Sequence, residues 1–155
     1  MTPRIDLADA WPEGKKAMRA FDAAIAGSGL DRTLADLIKV RASQVNGCAF
    51  CLDMHTKDAR AAGETAQRLY ALSAWRETPF FTEQERAVLA LTEALTRLAD
   101  RGVPDDVYDE ARRHLDEETL GKVIMAVVVI NAWNRLGVVQ RLPVGRYQPA
   151  GAVHA

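Results

Sequence analysis

This sequence lacks an excess of charge of either sign. Its 155 residues carry 20 Lys and Arg against 21 Asp and Glu, a formal net charge of −1. No global attraction to nucleic acid or to an anionic membrane surface follows from that balance. Aromatic residues are scarce, at 6%, which argues against a base-stacking platform. The longest apolar run, Val123 to Ile130, falls far short of the roughly 20 residues that a membrane span needs. Met1 to Ala10 mix Arg4, Asp6 and Asp9 with short apolar residues and show no secretory leader, so the expected location is the cytoplasm. Cysteine is nearly absent too. Two cysteines cannot build a disulfide framework, and in the cytoplasm such residues are usually reduced, catalytic or metal-bound. What remains is ordinary for a soluble globular protein: 48% hydrophobic, 26% charged, and one domain by length.

Periodicity predicts an all-α fold of about seven helices. Residues 1–12 read as an arm. From Glu13, Ala17, Met18, Phe21 and Ile25 have helical spacing, ended by Gly27 to Gly29. Asp31 is placed to cap a second helix with the stripe Leu34, Leu37, Ile38 and Val45, broken by Asn46-Gly47. A third helix runs from about Cys48 to Ala62, and Gly63 closes it. The fourth carries Leu69, Leu72 and Trp75 up to Thr78-Pro79. Thr82 and Glu85 form a capping-box pattern opening a fifth helix that ends near Gly102, and a short sixth runs from Pro104 to about His114. Asp116 to Glu118 start the last long helix, expected to end near Asn134 and to be buried on every side over Val123 to Ile130. Residues 143–155 read as a tail. The short Val138-Val139 patch is the one candidate strand.

The chemistry concentrates at Cys48-Ala49-Phe50-Cys51, a Cys-x-x-Cys pattern holding both cysteines. Gly47 before it suits a helix start, where free N–H groups and the helix dipole stabilise a thiolate. A spacing of three brings the two sulfurs onto one side of the first turn, within reach of a disulfide. A dithiol–disulfide pair is what two-electron redox chemistry needs. His55 lies four residues beyond Cys51, on the same face, where an imidazole can take or supply a thiol proton. Asp36 on the preceding helix is the candidate carboxylate to hold His55. The pattern also admits half of a zinc site, with His55 joined by a remote His114, His154 or carboxylate.

Residues 38–55, IKVRASQVNGCAFCLDMH, resemble the signature of the AhpD-like alkylhydroperoxidases in the carboxymuconolactone decarboxylase superfamily. Ile130 to Arg135 and Thr82 to Arg86 resemble that family's closing and middle helices. The resemblance implies an AhpD-like helical bundle, assembled as a trimer or hexamer, that reduces alkyl or hydrogen peroxide. It implies Cys51 as the attacking thiol and Cys48 as the resolving one, although the helix-start argument alone makes Cys48 the more acidic. It implies a relay of glutamate, water and histidine. The glutamate's place, twelve residues before the first cysteine, holds Asp36, one methylene shorter. A second histidine of the best-known members is replaced by Phe50. No metal, flavin or haem is implied, and the electron donor is an external lipoyl-bearing or thioredoxin-like protein. The decarboxylase branch generally lacks the paired cysteines. The rival readings are another superfamily activity, such as a small-lactone lyase or a dehalogenase-like enzyme, and a non-catalytic redox-sensing or zinc-binding module. Asn131, Trp133, Asn134 and Arg135 either bond within the bundle or line the pocket. A buried Arg135 would need an acidic partner.

Overall fold

The computed structural model describes residues 2–149. Among them are nine α-helices and no strand. In chain order these are α1 (Leu7–Ala10), α2 (Pro12–Ala26), α3 (Arg32–Asn46), α4 (Ala49–Ala61), α5 (Ala66–Ala71), α6 (Glu83–Thr96), α7 (Leu98–Arg101), α8 (Asp105–His114) and α9 (Glu117–Gln140). A 3₁₀ segment, Leu72–Glu77, continues α5.

Local capping chemistry sets most of the starts. Asp31, Thr65, Thr82 and Asp116 each accept a backbone N–H from the first turn of the helix they precede. Thr82 and Glu85 close the full capping box, with Glu85 N–H donating to Thr82 Oγ1 at 3.2 Å and Thr82 N–H donating to Glu85 Oε2 at 2.7 Å.

The core is built where α3 lies against α4, α6 and α9. One cluster joins Leu34, Ile38, Val88, Leu91, Val127 and Ile130, and a second joins Leu37, Val40, Leu72, Trp75, Phe81 and Leu89. Alternate faces of α3 feed the two clusters, so this helix is the spine of the bundle. Each fully buried aliphatic side chain contributes about 1.5–3 kcal/mol relative to exposure. Buried side-chain polar atoms are paired among the described residues, with Trp133 Nε1 as the exception. Glu93 accepts from Arg41 Nε at 2.7 Å, from Trp75 Nε1 at 2.8 Å and from Arg76 Nη1 at 2.7 Å, which ties α3, α6 and the 3₁₀ segment together.

Several expectations are corrected. The N-terminal arm contains α1, because Asp6 caps it and Pro12 sits at the start of α2, where a proline costs nothing. It is tied down at both ends of a short loop: Arg4 N–H donates to the Gln140 carbonyl and Leu7 N–H to Gln140 Oε1, both at 3.1 Å. The fifth predicted helix breaks at Arg97 into α6 and α7. The last helix runs to Gln140, six residues past Asn134, and Val138-Val139 lies inside it rather than in a strand. Nor is α9 buried all round, since Met125 and Val128 are each 45% exposed. Its composition and length are sufficient to span a membrane, yet half of its most apolar window is buried in the bundle. The tail leaves α9 and crosses α4: Gly145 N–H donates to Asp53 Oδ2 and Lys57 Nζ donates to the Tyr147 carbonyl.

Candidate active site

Gly47 places the cysteines. It ends α3 in the left-handed region, at φ 64°, a conformation for which glycine carries no Cβ penalty. Cys48 follows as the N-cap of α4, and its Sγ accepts the Cys51 backbone N–H at 3.3 Å. The sulfur therefore occupies the position that a serine or aspartate oxygen normally takes at a helix start, where a thiolate is stabilised. Cys48 and Cys51 are joined as a disulfide, with Cα atoms 5.3 Å apart, inside the bridging range. Both are 1–2% exposed. Behind them stands Gly137 of α9. A Cβ there would lie 3.0 Å from Cys48 Sγ and 3.3 Å from Cys51 Sγ, so the absence of a side chain lets the sulfur pair rest on the α9 backbone.

His55 sits one turn beyond Cys51 on α4 and is 9% exposed. Its Nδ1 lies 3.8 Å from Asp58 Oδ2, and the Tyr147 hydroxyl donates to Asp58 Oδ1 at 2.6 Å. Burial pushes the Asp58 carboxyl up, but the adjacent His55 imidazole, the bond from Tyr147 and the charge of Lys39 hold it below the usual carboxylate range. The same bond to Asp58, with burial, pushes the Tyr147 hydroxyl up to about 12. Tyr147 therefore stays protonated and donating through the physiological range.

Asp36 is engaged on its own helix. It is buried, but Arg32 Nε, one turn back on α3, holds its Oδ2 at 2.8 Å. It makes no direct bond to the imidazole and lines a different cavity, beside Arg68 and Glu85. An i, i+4 cation on its own helix outcompetes an imidazole across a helix interface.

Two cavities reach the sulfur pair. One, of about 320 Å³, is lined by Cys51 and His55 together with Phe50, Met54, Trp133 and Leu136. The other, of about 460 Å³, is lined by Cys48, Ala49, Val138, Arg141 and Pro143. Phe50 and Gly137 border both.

An amide network fixes α3 to α9 directly under the Gly47 turn. Asn46 Nδ2 donates to Asn131 Oδ1 at 3.0 Å and to Asn134 Oδ1 at 2.8 Å. Asn134 Nδ2 donates to Ser43 Oγ and Asn131 Nδ2 to Thr96 Oγ1, both at 3.0 Å. Asn131 and Asn134 are therefore positioning groups. Arg135 is exposed and donates to the carbonyl of Asn131, so it has no need of the acidic partner expected for a buried guanidinium. Trp133 does line the cavity of Cys51. No three potential metal ligands gather among the described residues. His114 pairs with Glu110 at 3.0 Å, and His154 lies outside the described residues.

The pattern of the carboxymuconolactone decarboxylase family matches residues 12–94. The chain is 44% identical over 138 residues to the uncharacterised protein YdfG of Bacillus subtilis, covering 89% of this chain and 94% of that protein. This chain belongs to the carboxymuconolactone decarboxylase family. Its AhpD-like architecture is shared with a crystal structure from Agrobacterium tumefaciens of a protein of unknown function, a candidate antioxidant defence protein AhpD. The two superpose with a TM-score of 0.89 at 42% identity, over 96% of this chain and 99% of the other. The apo debrominase Bmp8 has the same fold, with a TM-score of 0.79 at 19% identity over 87% of this chain and 73% of its own. This family member is thus an AhpD-like helical module with a disulfide pair at its centre.

Three residues of the site escaped the sequence reading. Asp58 had a local signal, three residues after His55 on one helix. Tyr147 and Gly137 had none, because they meet α4 across 89 and 86 residues of chain respectively.

Proposed function

We propose that the chain is a thiol-dependent hydroperoxidase working through a Cys48–Cys51 dithiol–disulfide cycle. The observation that carries this reading is the placement of Cys51 and His55 on one small cavity, with Cys48 capping the same helix. The Cys51 thiolate attacks the outer oxygen of a hydroperoxide. The O–O bond breaks, the alcohol (or water) leaves with a proton, and Cys51 becomes a sulfenic acid. Cys48 then attacks the Cys51 sulfur, the S–S bond forms and water leaves. The two electrons come back from an external dithiol, a lipoyl-bearing or thioredoxin-like protein, which departs as its own disulfide. His55 supplies and collects the proton at the sulfur and leaving oxygen. Asp58, rather than Asp36, is its carboxylate. A reducing, cytoplasmic setting and a homo-oligomer, trimer or hexamer, belong to the same reading. The antioxidant-defence description of the Agrobacterium relative, at 42% identity, supports it.

Mass spectrometry of reduced protein after one equivalent of peroxide tests the cycle. The expected result is a loss of about two mass units, restored by a dithiol. Steady-state turnover with dihydrolipoamide is expected to vanish in Cys51→Ser. Turnover that survives that change, or that ignores thiol alkylation, overturns the reading.

A further inference from the structure

The cavity at Cys51 has walls of one chemistry and a mouth of another. Phe50, Met54, Val129, Ile130, Trp133 and Leu136 make its interior apolar. Lys15 and Arg19, one turn apart on α2, and Lys39 on α3 bring three cations to it, against one carboxylate, Asp22. Arg19 is exposed while Lys15 and Lys39 are half-buried, as expected of cations whose stems cover apolar surface while their charges reach toward water. None of these four forms an ion pair among the described residues. Against these three cations stand Asp22 and, beside Lys39 and His55, Asp58, which leaves a local excess of positive charge centred on Lys15 and Arg19. Lys15 Nζ also stands 4.9 Å over the centre of the Trp133 ring. Trp133 Nε1 is the buried side-chain polar atom without a hydrogen-bond partner among the described residues. An orphan donor of this kind is costly until an acceptor relieves it.

We infer that this cavity binds an apolar molecule bearing a carboxylate, and that the preferred oxidant is an organic hydroperoxide of that class. The inference rests on the hydroperoxidase reading only for its second half. The apolar body fills the volume beside Cys51 and His55. The carboxylate lies toward Lys15, Arg19 and Lys39. At about 320 Å³ the space is at the small end of ligand sites, which suits a short chain or a single ring rather than a full lipid. Hydrogen peroxide, with neither an apolar body nor a charge, gains nothing from these walls.

Calorimetric titration of the oxidised protein with octanoate and with octanamide tests the site without any turnover. Octanoate is expected to bind about tenfold more tightly than the amide, a difference that shrinks with added salt. The double variant Lys15→Met, Arg19→Gln is expected to lose most of that preference. Neither substitution removes a buried group, and the salt series on the wild-type protein stands independently of the variant's folding. Equal affinity for acid and amide, or no binding of either, overturns the site. In a parallel turnover assay, a short-chain hydroperoxy acid such as hydroperoxyoctanoate is expected to exceed its methyl ester in kcat/KM by a similar factor. Octanoate binding with no turnover of any peroxide keeps the site and sinks the hydroperoxidase reading. Peroxide turnover with no acid preference keeps the hydroperoxidase and sinks the site.

Discussion

Asp58 and Asp36 are the residues on which sequence and structure part. Asp58 lies against the imidazole, at 3.8 Å, while Arg32 holds Asp36 at 2.8 Å. Asp58→Asn is expected to lower kcat/KM on the order of tenfold, a fraction of what a general acid–base contributes. It should also displace the pH profile of the rate, which a purely structural role would leave in place. Asp36→Asn is expected to do neither, and stopped-flow peroxidase assays across pH separate the two. Gly137 makes a sharper prediction. In Gly137→Ala the new methyl meets both sulfurs at 3.0–3.3 Å, so the disulfide or α9 must give. Thermal unfolding of the oxidised protein should show a loss of about 1–3 kcal/mol, whereas alanine in a helix would otherwise be stabilising. The cysteines and His55 were legible because their arrangement is local, set by spacings of three and four on one helix. The Asp36–Arg32 pair follows the same local rule, an i, i+4 spacing on α3.

Between elements, the Glu93 cluster fastens α3, α6 and the 3₁₀ segment. Burial pushes the Glu93 carboxyl up, but bonds from Trp75, Arg76 and Arg41 and the charge of Arg41 hold it below the ordinary glutamate value. A carboxyl with a lowered folded-state pKa adds stability at neutral pH and loses it as the pH falls through that lowered value. Glu93→Gln is therefore expected to cost roughly 3 kcal/mol near pH 7, since Arg41 is left buried without its anion. The difference from wild type should narrow in acid, as read by urea unfolding at several pH values. Starts and stops of most helices were readable from sequence, because Asp31, Thr82, Glu85 and Asp116 act on the backbone within three residues. The far end of α9 was not. Gly137, three residues past Asn134, reads as a stop but stays helical, and the segment is retained by the Gln140 contacts to the N-terminal arm. Nor was the 3₁₀ character of Leu72–Glu77, where Ala74 departs from helical angles, signalled by any residue of special conformation.

For the molecule as a whole, the face that α9 leaves uncovered is the point of interest. Met125 and Val128 are exposed on the same side of the most apolar helix, three residues apart. Val139 continues that side toward its C-terminal end at 47% exposure. On the proposed reading this strip is where subunits meet, and the double change Met125→Glu, Val128→Glu should yield monomers by sedimentation velocity with little loss of helicity. Wild-type protein that sediments as a monomer at micromolar concentration would refute it. The expectation of a fully buried α9 failed for a physical reason: hydrophobicity reports that a surface avoids water and is silent on whether the neighbour is the same chain or another.

The sulfur pair also sits on a partition. Phe50 and Gly137 border both hollows, Cys51 faces one and Cys48 the other. On the proposed reading, an oxidant and a reductant arriving at opposite doors need not queue for the same threshold, and the disulfide between them becomes a relay through the wall. A donor too bulky to follow the peroxide inward could still empty the pair of its oxidising equivalents from behind.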